Sequence, residues 1–530
     1  MTATRAIAVR AVRAAVPPWV PVAAASLLVR LPLFFLPGAG RDEAAYVYWA
    51  FHPEPAYAPL LQVLVRFAAL LPIDPVQAMR IPVMLGGVAV LYIFDRFLAA
   101  RGAGYGFRLF SLAVLAAAPW QVYAGAVLHP DTLLLAALLA LSLALYRRRF
   151  AWAVAAAAAA FWAKPTGLLA LPVLLFVLWR DPGLTRRLAV AYSGAALALV
   201  APAALFITPE LVAAISEFSR IPAAVPLGRA LLAQALAVLF LGGPLLLLLP
   251  AGTVRATVRH GWRPLWRDPA GQTASLLAMA LLGAFALAAL FNTQLKGNWI
   301  LPAMVLLWPA RPGRLSRPLA FAGLGWTLLT ALLLSTAMAR PDLVARFETG
   351  LPGLQGTYGL HAGAREARVS ATGTWSQRLR EYQGLEPFAG AVRAAWGGAV
   401  RAVHPPAWIV SDDYGLAAQL HFAWRQPAMR VIVPGDGVFH RLMPPLSQSE
   451  LSGAVLVMAV GRRSLAAVWP RLVDVEPIAT VPHPVTGLPV TIGMASGRLT
   501  NLAGPSRVTH PRGRGSASDP ATSQPHGRTP

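Results

Sequence analysis

The chain has 530 residues, of which 57% are hydrophobic and only 13% are charged, and its mean hydropathy is +0.56. Soluble domains carry about 25% charged residues, so this composition, with its long apolar blocks, excludes an ordinary soluble protein and predicts a polytopic membrane protein. The net charge of +24 comes from short basic runs between those blocks, which argues against nucleic-acid binding, and the absence of cysteine excludes disulfides and cysteine-bound zinc.

The apolar blocks predict about eleven membrane spans, since each has roughly the length needed to cross a bilayer. The basic, alanine-rich N-terminus runs straight into the first block, which indicates an uncleaved first span rather than a removed signal peptide. Between the first and second spans, a large loop is predicted to end in an amphipathic stretch. The loop is 38–79, and the spans are about 19–37, 81–95, 109–127, 132–146, 150–163, 167–179, 188–207, 229–252, 272–292, 298–310 and 318–338.

Arginines are concentrated in alternate loops, for example at 96–108, 147–149 and 255–267, whereas the intervening loops contain few. Cytoplasmic loops carry an excess of basic residues. The sequence therefore predicts a protein of the bacterial cytoplasmic (inner) membrane with a cytoplasmic N-terminus. The loop 38–79 and the region after 338 should then face the exterior.

After the last span the apolar runs shorten and polar residues mix in, which predicts a small exterior α/β domain over 340–501. AWIVS, YGLAAQLHFAW and MRVIV read as strand, helix and strand, and AVLVMAV at 454–460 reads as a further strand. The segment 502–530 is rich in proline, glycine, serine and arginine and is predicted to be disordered.

Two adjacent carboxylates, Asp42 and Glu43, open the first exterior loop. A carboxylate there can act as a general base on an acceptor hydroxyl or amine, and the alternative is the solvated start of a loop. Asp131 lies in the short predicted loop between two spans and is expected to cap the following helix. His129, in the same loop, is interpreted as a polar interface residue. Six aromatic residues fit an interfacial aromatic belt: Tyr46, Tyr48, Trp49, Tyr57, Trp299 and Trp308. Sugar stacking is the alternative for Trp49 and Trp299.

Lys164 and Lys296 are the only lysines of the chain, and both lie at predicted exterior ends of spans. An ammonium there is costly without an anionic partner, and a lipid phosphate would supply one. The alternative is interfacial snorkelling of the side chains. Arg30 lies within the first span, where a structural ion pair and phosphate binding are both open.

Five segments, in this order and on the exterior side, resemble family 39 glycosyltransferases, which include protein O-mannosyltransferases and bacterial aminoarabinose transferases. They are RDEAAYVYW, HPDTLLL, WAKPTGLLALP, LKGNWILPAMV and WIVSDDYGLAAQLHFAW. The resemblance reaches from about residue 27 to 440 and includes Asn298 and Trp299 in an NWP-type motif. It implies a GT-C fold for 1–339 and inverting sugar transfer from a polyprenyl-phosphate donor.

In that family the acid of the first loop is the catalytic base, which corresponds to Asp42 with Glu43 beside it. Lys296, Lys164 and Arg30 become the expected contacts of the lipid phosphate. Further candidates for the substrate site are Asp131, Tyr57, Asn298 and Trp299. The chain departs from the family where a His-Pro-Pro or Lys-Pro-Pro element is usual, because Tyr57 begins the matching stretch here. The acceptor, whether protein, lipid or glycan, is left open.

Two other classes of function remain open on the sequence: a transporter or flippase of lipid-linked sugars, and a non-catalytic membrane scaffold with an exterior binding domain. Transporters favour internal repeats and broken helices at mid-membrane, and the sequence shows no repeat. No cluster of ligands demands a metal, although a divalent cation is left open as a cofactor. Nucleic acid is not expected as a partner.

Overall fold

The computed structural model describes most of the helical part of the chain and much of the region after 338. This region is predicted to be exterior, and it is therefore called the exterior region, and its folded part the exterior domain, below. The described residues are 16–52, 58–204, 227–260, 267–290, 297–308, 316–350, 376, 379–400, 406–425, 429–432, 454–460, 464–468, 472, 474–484 and 488–495. The tail 502–530, which is predicted to be disordered, lies outside them, as do parts of several predicted loops.

Within the described part of the chain, every predicted span overlaps helical structure. The helices are α1 (Trp19–Phe34), α2 (Arg41–Phe51), α3 (Pro59–Ala68), α4 (Pro75–Ala100), α5 (Tyr105–Ala117), α6 (Pro119–Ala124), α7 (Asp131–Tyr146), α8 (Phe150–Ala163), α9 (Ala170–Arg180), α10 (Arg186–Ala204), α11 (Leu227–His260), α12 (Thr273–Leu290), α13 (Gly297–Leu306) and α14 (Arg317–Ala339). A short 3-10 turn, Pro165–Leu169, precedes α9. The segment predicted as one loop, 38–79, contains two helices, α2 and α3.

The predicted span 109–127 is divided into α5 and α6 at Ala118. Ala118 has φ −57° and ψ 125°, outside the helical region, because the ring of Pro119 disfavours a helical conformation for the residue before it. Pro119 then starts α6, where its missing N–H would have no helical partner in any case. A proline inside the apolar block therefore converts one predicted helix into two.

Among the described residues, two helices are long and apolar enough to cross a membrane by length and composition, α4 and α14. Other apolar helices of the described part, such as α1, α7 and α8, have 10–17 residues. Residues of these helices share one apolar core with residues of α4, α5 and α6. The core includes Phe94 of α4, Leu115 of α5, Trp120 of α6 and Leu138 of α7. The predicted number of membrane crossings stays a prediction.

The exterior region contains α15 (Pro341–Gly350), a 3-10 turn Arg380–Tyr382, α16 (Glu386–Val400), α17 (Tyr414–Trp424), α18 (Leu465–Val468) and a five-stranded sheet. The strands are β1 (Trp408–Ser411), β2 (Arg430–Ile432), β3 (Val455–Val460), β4 (Glu476–Pro482) and β5 (Pro489–Ala495), in the order β2-β1-β3-β5-β4. The three predicted strands, β1, β2 and β3, are confirmed, and so is helix α17. Strand β1 pairs in parallel with both β2 and β3.

The antiparallel strands β4 and β5, together with α16, were not predicted from the sequence. β5 pairs with β3 and β4 pairs with β5. β4 lies at the edge of the sheet, and its residues are mostly exposed or half-buried. Its sequence therefore lacks the continuous apolar run that identifies a buried strand.

The exterior domain and the helices α2 and α3 share a second apolar core. Tyr46, Tyr48 and Trp49 of α2 are buried in it together with Trp396 of α16 and Trp424 of α17. The prediction that these α2 residues form an interfacial aromatic belt is therefore wrong, because their rings fill the contact with the exterior domain. This shared core fixes the exterior domain directly over the start of α2.

Candidate functional site

The N-terminus of α2 carries the two predicted acids and is held in place by close packing. The backbone N–H of Gly40, the residue before α2, donates to Oε2 of Glu43 at 3.0 Å. A side chain at Gly40 would overlap the ring of Tyr382, with its Cβ only 2.7 Å from Cζ. The backbone N–H of Gly38 donates to the carbonyl oxygen of Tyr382 at 2.9 Å. The segment 38–43 is thus clamped against the exterior 3-10 turn.

Glu43 is buried and forms a bidentate ion pair with Arg80 of α4. Arg80 donates from Nε to Oε1 at 2.9 Å and from Nη2 to Oε2 at 2.8 Å. Oε1 also accepts from the backbone N–H of Leu128 at 2.7 Å. With the Gly40 N–H on Oε2, both carboxylate oxygens have two donors each, so Glu43 has no lone pair positioned for an acceptor molecule.

Arg80 also joins α4 to the end of α1. Its Nη1 donates to the carbonyl oxygens of Leu33, Phe34 and Leu36 at 3.2, 3.1 and 2.8 Å, and its Nη2 donates to that of Gly38 at 2.7 Å. Carbonyl groups at the end of a helix lack partners within the helix. One guanidinium therefore satisfies the end of α1 and, through Glu43, fixes the start of α2.

Asp42, in contrast, is exposed to solvent. Its Oδ1 accepts a hydrogen bond of 2.8 Å from the hydroxyl of Tyr414, the first residue of α17. Asp42 makes no other hydrogen bond or ion pair with the residues that the structure describes. Of the two predicted acids, Asp42 is therefore the one whose carboxylate can be reached by a substrate, whereas Glu43 holds the helix that carries it.

Lys164 and Asp131 form a buried ion pair, with Nζ 2.5 Å from Oδ1. Lys164 follows the end of α8, and Asp131 is the first residue of α7. Nδ1 of His129 lies 3.4 Å from the other carboxylate oxygen of Asp131. The prediction that Asp131 caps α7 is wrong. The cap position is occupied by Pro130, Asp131 is the first helical residue, and its carboxylate pairs with the buried ammonium of Lys164.

Arg30 is completely buried in α1. Its guanidinium lies against the backbones of Gly87 in α4 and Gly125 after α6, since a Cβ on either glycine would overlap it. The three guanidinium nitrogens donate to no partner among the described residues, and the side-chain amide of Gln121 is likewise without one. No structural ion pair of Arg30 is therefore found within the described part of the chain.

The remaining predicted site residues fall where the structure does not describe side chains. Lys296 and Tyr57 lie outside the described residues. Asn298 and Trp299 belong to the first turn of α13, but their side chains are not described. In the described part of the chain, no group of three His, Asp or Glu side chains is arranged to hold a metal ion.

Three residues of the site were missed by sequence reasoning: Arg80, Tyr382 and Tyr414. The hydroxyls of Tyr382 and Tyr123 are 2.8 Å apart. Burial raises the pKa of Tyr382 well above its usual value, so the phenol stays neutral. A signal existed for Arg80, which is an arginine within a strongly apolar helix. None existed for the two tyrosines, because their neighbours are distant in sequence.

Comparison with solved structures identifies the architecture. Crystal structures of ArnT from Cupriavidus metallidurans match in two states, apo and bound to undecaprenyl phosphate. The TM-score is 0.53 in both cases, with 17% and 16% identity, covering 89% and 92% of this chain and 97% and 99% of theirs. The chain has the fold of ArnT. This is the GT-C fold of polytopic helical membrane proteins, as the resemblance in the sequence implied.

The likeness extends over nearly the whole of both chains, so on this chain it includes residues of both the helical part and the region after 338. No protein-family model matches the sequence, and no curated protein matches it either. At this level of identity the similarity concerns the fold. The roles of individual residues must therefore be argued from the geometry of the site.

Proposed function

We propose that this protein is a membrane glycosyltransferase that transfers a sugar from a polyprenyl-phosphate donor to an acceptor on the outer face of the cytoplasmic membrane. The observation that carries the proposal is the arrangement at the start of α2. An exposed carboxylate, Asp42, stands on a helix end that Glu43 and Arg80 hold rigidly. A base positioned in this way meets the first geometric requirement of acid–base catalysis.

The reaction would proceed by in-line attack on the anomeric carbon with inversion. Asp42 takes the proton from the acceptor hydroxyl or amine, whose oxygen or nitrogen forms the new bond to the anomeric carbon. The bond between that carbon and the phosphate oxygen breaks, and the polyprenyl phosphate leaves with the electron pair. Cationic groups stabilise the charge that develops on the leaving phosphate.

ArnT, whose fold the chain shares, has been crystallised with undecaprenyl phosphate, which supports a polyprenyl phosphate as the donor's carrier. Lys296 and Arg30 remain the proposed contacts of the phosphate. Arg30 is supported by a guanidinium without a partner among the described residues. Lys164 is already neutralised by Asp131 at 2.5 Å, so its contribution would be to shape the site.

The test is a donor-consumption assay on the purified protein in nanodiscs. A panel of polyprenyl-phosphate sugars is supplied with an extract of bacterial membranes as the source of acceptor. We expect the wild type to consume one donor and Asp42→Asn to lose at least about a hundredfold in rate, since general-base catalysis contributes 10²–10⁴-fold.

The matched control is Asp342→Asn, which removes an exposed carboxylate from α15 and should leave the rate unchanged. Consumption by Asp42→Asn at the rate of the wild type would refute the assignment of the base. If the folded wild type consumes no donor, the transferase proposal fails. Transport of a donor across the membrane of proteoliposomes that contain the protein, without consumption of the donor, would then favour the flippase.

A further inference from the structure

The helix α17 of the exterior domain begins in direct contact with the start of α2. Arg41, the first residue of α2, lies over the ring of Tyr414 with its guanidinium carbon 4.5 Å from the ring centroid. The same guanidinium is paired with Asp413 at 3.3 Å. Asp413 in turn caps α17 by accepting from the backbone N–H of Leu416 at 3.0 Å. The two helix starts are therefore joined side chain to side chain.

A glycine allows this close approach. At Gly415, a Cβ would lie 2.7 Å from the Cβ of Arg41 and 3.0 Å from its guanidinium carbon. Any larger residue would push α17 away from α2 and separate Tyr414 from Asp42. Further along the two helices, the hydroxyl of Tyr48 in α2 bonds the backbone of Val431, accepting from its N–H at 3.1 Å.

The hydroxyl of Tyr414 is the only hydrogen-bond donor that reaches Asp42 among the described residues, at 2.8 Å from Oδ1. An exposed aspartate otherwise samples several rotamers, and each misplacement of a base lowers the rate of proton transfer. The ring of Tyr414 is itself fixed by Arg41. The contact therefore limits Asp42 to one orientation, with its second carboxylate oxygen left for the acceptor's proton.

We propose that Tyr414 is a positioning residue for the reaction, so that the exterior domain completes the active site by orienting the base. The inference rests on the proposed function, because it assigns Asp42 the role of base. It adds a role for the exterior domain, whose helix α17 supplies the orienting hydroxyl from a point 372 residues away in the chain.

The test compares two tyrosine-to-phenylalanine variants across the same interface. Tyr414→Phe removes the hydroxyl that contacts Asp42 but keeps the ring beneath Arg41. Tyr48→Phe is the matched control, because it removes a hydroxyl that joins α2 to the exterior domain at Val431 without contacting Asp42. Rates are normalised to the amount of protein that binds donor, so that a loss of folded protein does not register as a loss of catalysis.

For Tyr414→Phe we expect kcat to fall about tenfold to a hundredfold, the range that corresponds to one hydrogen bond to a charged group. The KM for the donor should stay within about twofold, since the variant changes the orientation of the base and not the donor site. Tyr48→Phe should retain the kcat of the wild type. In an Asp42→Asn background, Tyr414→Phe should lower the residual rate no further, because its effect is exerted through Asp42.

Equal kcat values for the two phenylalanine variants would overturn the role of Tyr414 while leaving the transferase assignment intact. A rise in donor KM with unchanged kcat would overturn it as well, since Tyr414 would then serve donor binding. If the wild type turns over no donor, the proposed function itself fails, and the positioning role fails with it. The wild-type rate thus separates the two failures.

Discussion

Breaking the buried pair of Glu43 and Arg80 should be among the most destabilising changes in this chain. Both side chains are at most 1% exposed, and they share two hydrogen bonds of 2.8 and 2.9 Å. Arg80→Met leaves a buried carboxylate without its cation, and removal of one partner of such a pair costs about 3–5 kcal/mol. The carbonyls of Leu36 and Gly38 also lose their donor in this variant. We therefore expect the loss of unfolding free energy to be at least the lower value of this range.

The decisive form of the experiment is a double-mutant cycle with Arg80→Met and Glu43→Gln. Each single change removes the same interaction, so the double variant should lose about as much free energy of unfolding as one single variant. The assay is equilibrium unfolding in mixed micelles of increasing SDS content, followed by tryptophan fluorescence. Arg340→Met is the control, because it breaks an ion pair in which both side chains are largely exposed and should leave the unfolding midpoint in place.

Two results would contradict this reasoning. If the single losses add in the double variant to within about 0.5 kcal/mol, the two side chains act independently. A loss below about 1 kcal/mol for Arg80→Met would mean that water reaches the carboxylate and that the cluster is not a buried clamp. Either outcome would remove the physical basis for a rigid start of α2.

Three further changes test other parts of the site. Lys164→Met leaves Asp131 buried without its cation and should lower the free energy of unfolding by about 3–5 kcal/mol, measured by SDS titration, whereas an unchanged value would indicate a hydrated pair. Arg30→Met should raise the melting temperature of the delipidated protein in detergent, because it removes a buried charge without a partner among the described residues. The same change should weaken the binding of polyprenyl phosphate, measured by calorimetry. A lower melting temperature with unchanged binding would contradict both expectations. Gly40→Ala should cost about 1–3 kcal/mol by the same titration, because its methyl group overlaps the ring of Tyr382, and a neutral effect would show that the ring moves aside.

The membrane character and the positions of the helices could be read from the sequence. Apolar blocks of limited length predicted α7 and α8 closely, and the segment YGLAAQLHFAW matches α17 residue for residue. These features depend on local composition and on periodicity along the chain. Edge strand β4 escaped prediction because an exposed strand carries no continuous apolar run.

The sequence also placed Asp42, Glu43, Asp131 and Lys164 in the candidate site, but it assigned them no partners within the chain. Only the family resemblance favoured Asp42 over the adjacent Glu43, whereas the structure separates them into an exposed carboxylate and one whose oxygens are all hydrogen-bonded. It took Asp131 for a helix cap, which was wrong because the partner, Lys164, comes from another helix. A local motif records the type of residue and its spacing but not the group that packs against it from elsewhere.

What the sequence alone determined is the class of the protein: a helical membrane protein with a small C-terminal α/β domain and two adjacent acids after its first predicted span. Only the tertiary structure decided which acid is accessible. Glu43 is saturated by Arg80, 37 residues away in the chain, whereas Asp42 is contacted by Tyr414, 372 residues away. The physical reason is that burial and hydrogen bonding are set by neighbours in space, and a side chain's chemistry follows from whether those neighbours satisfy it.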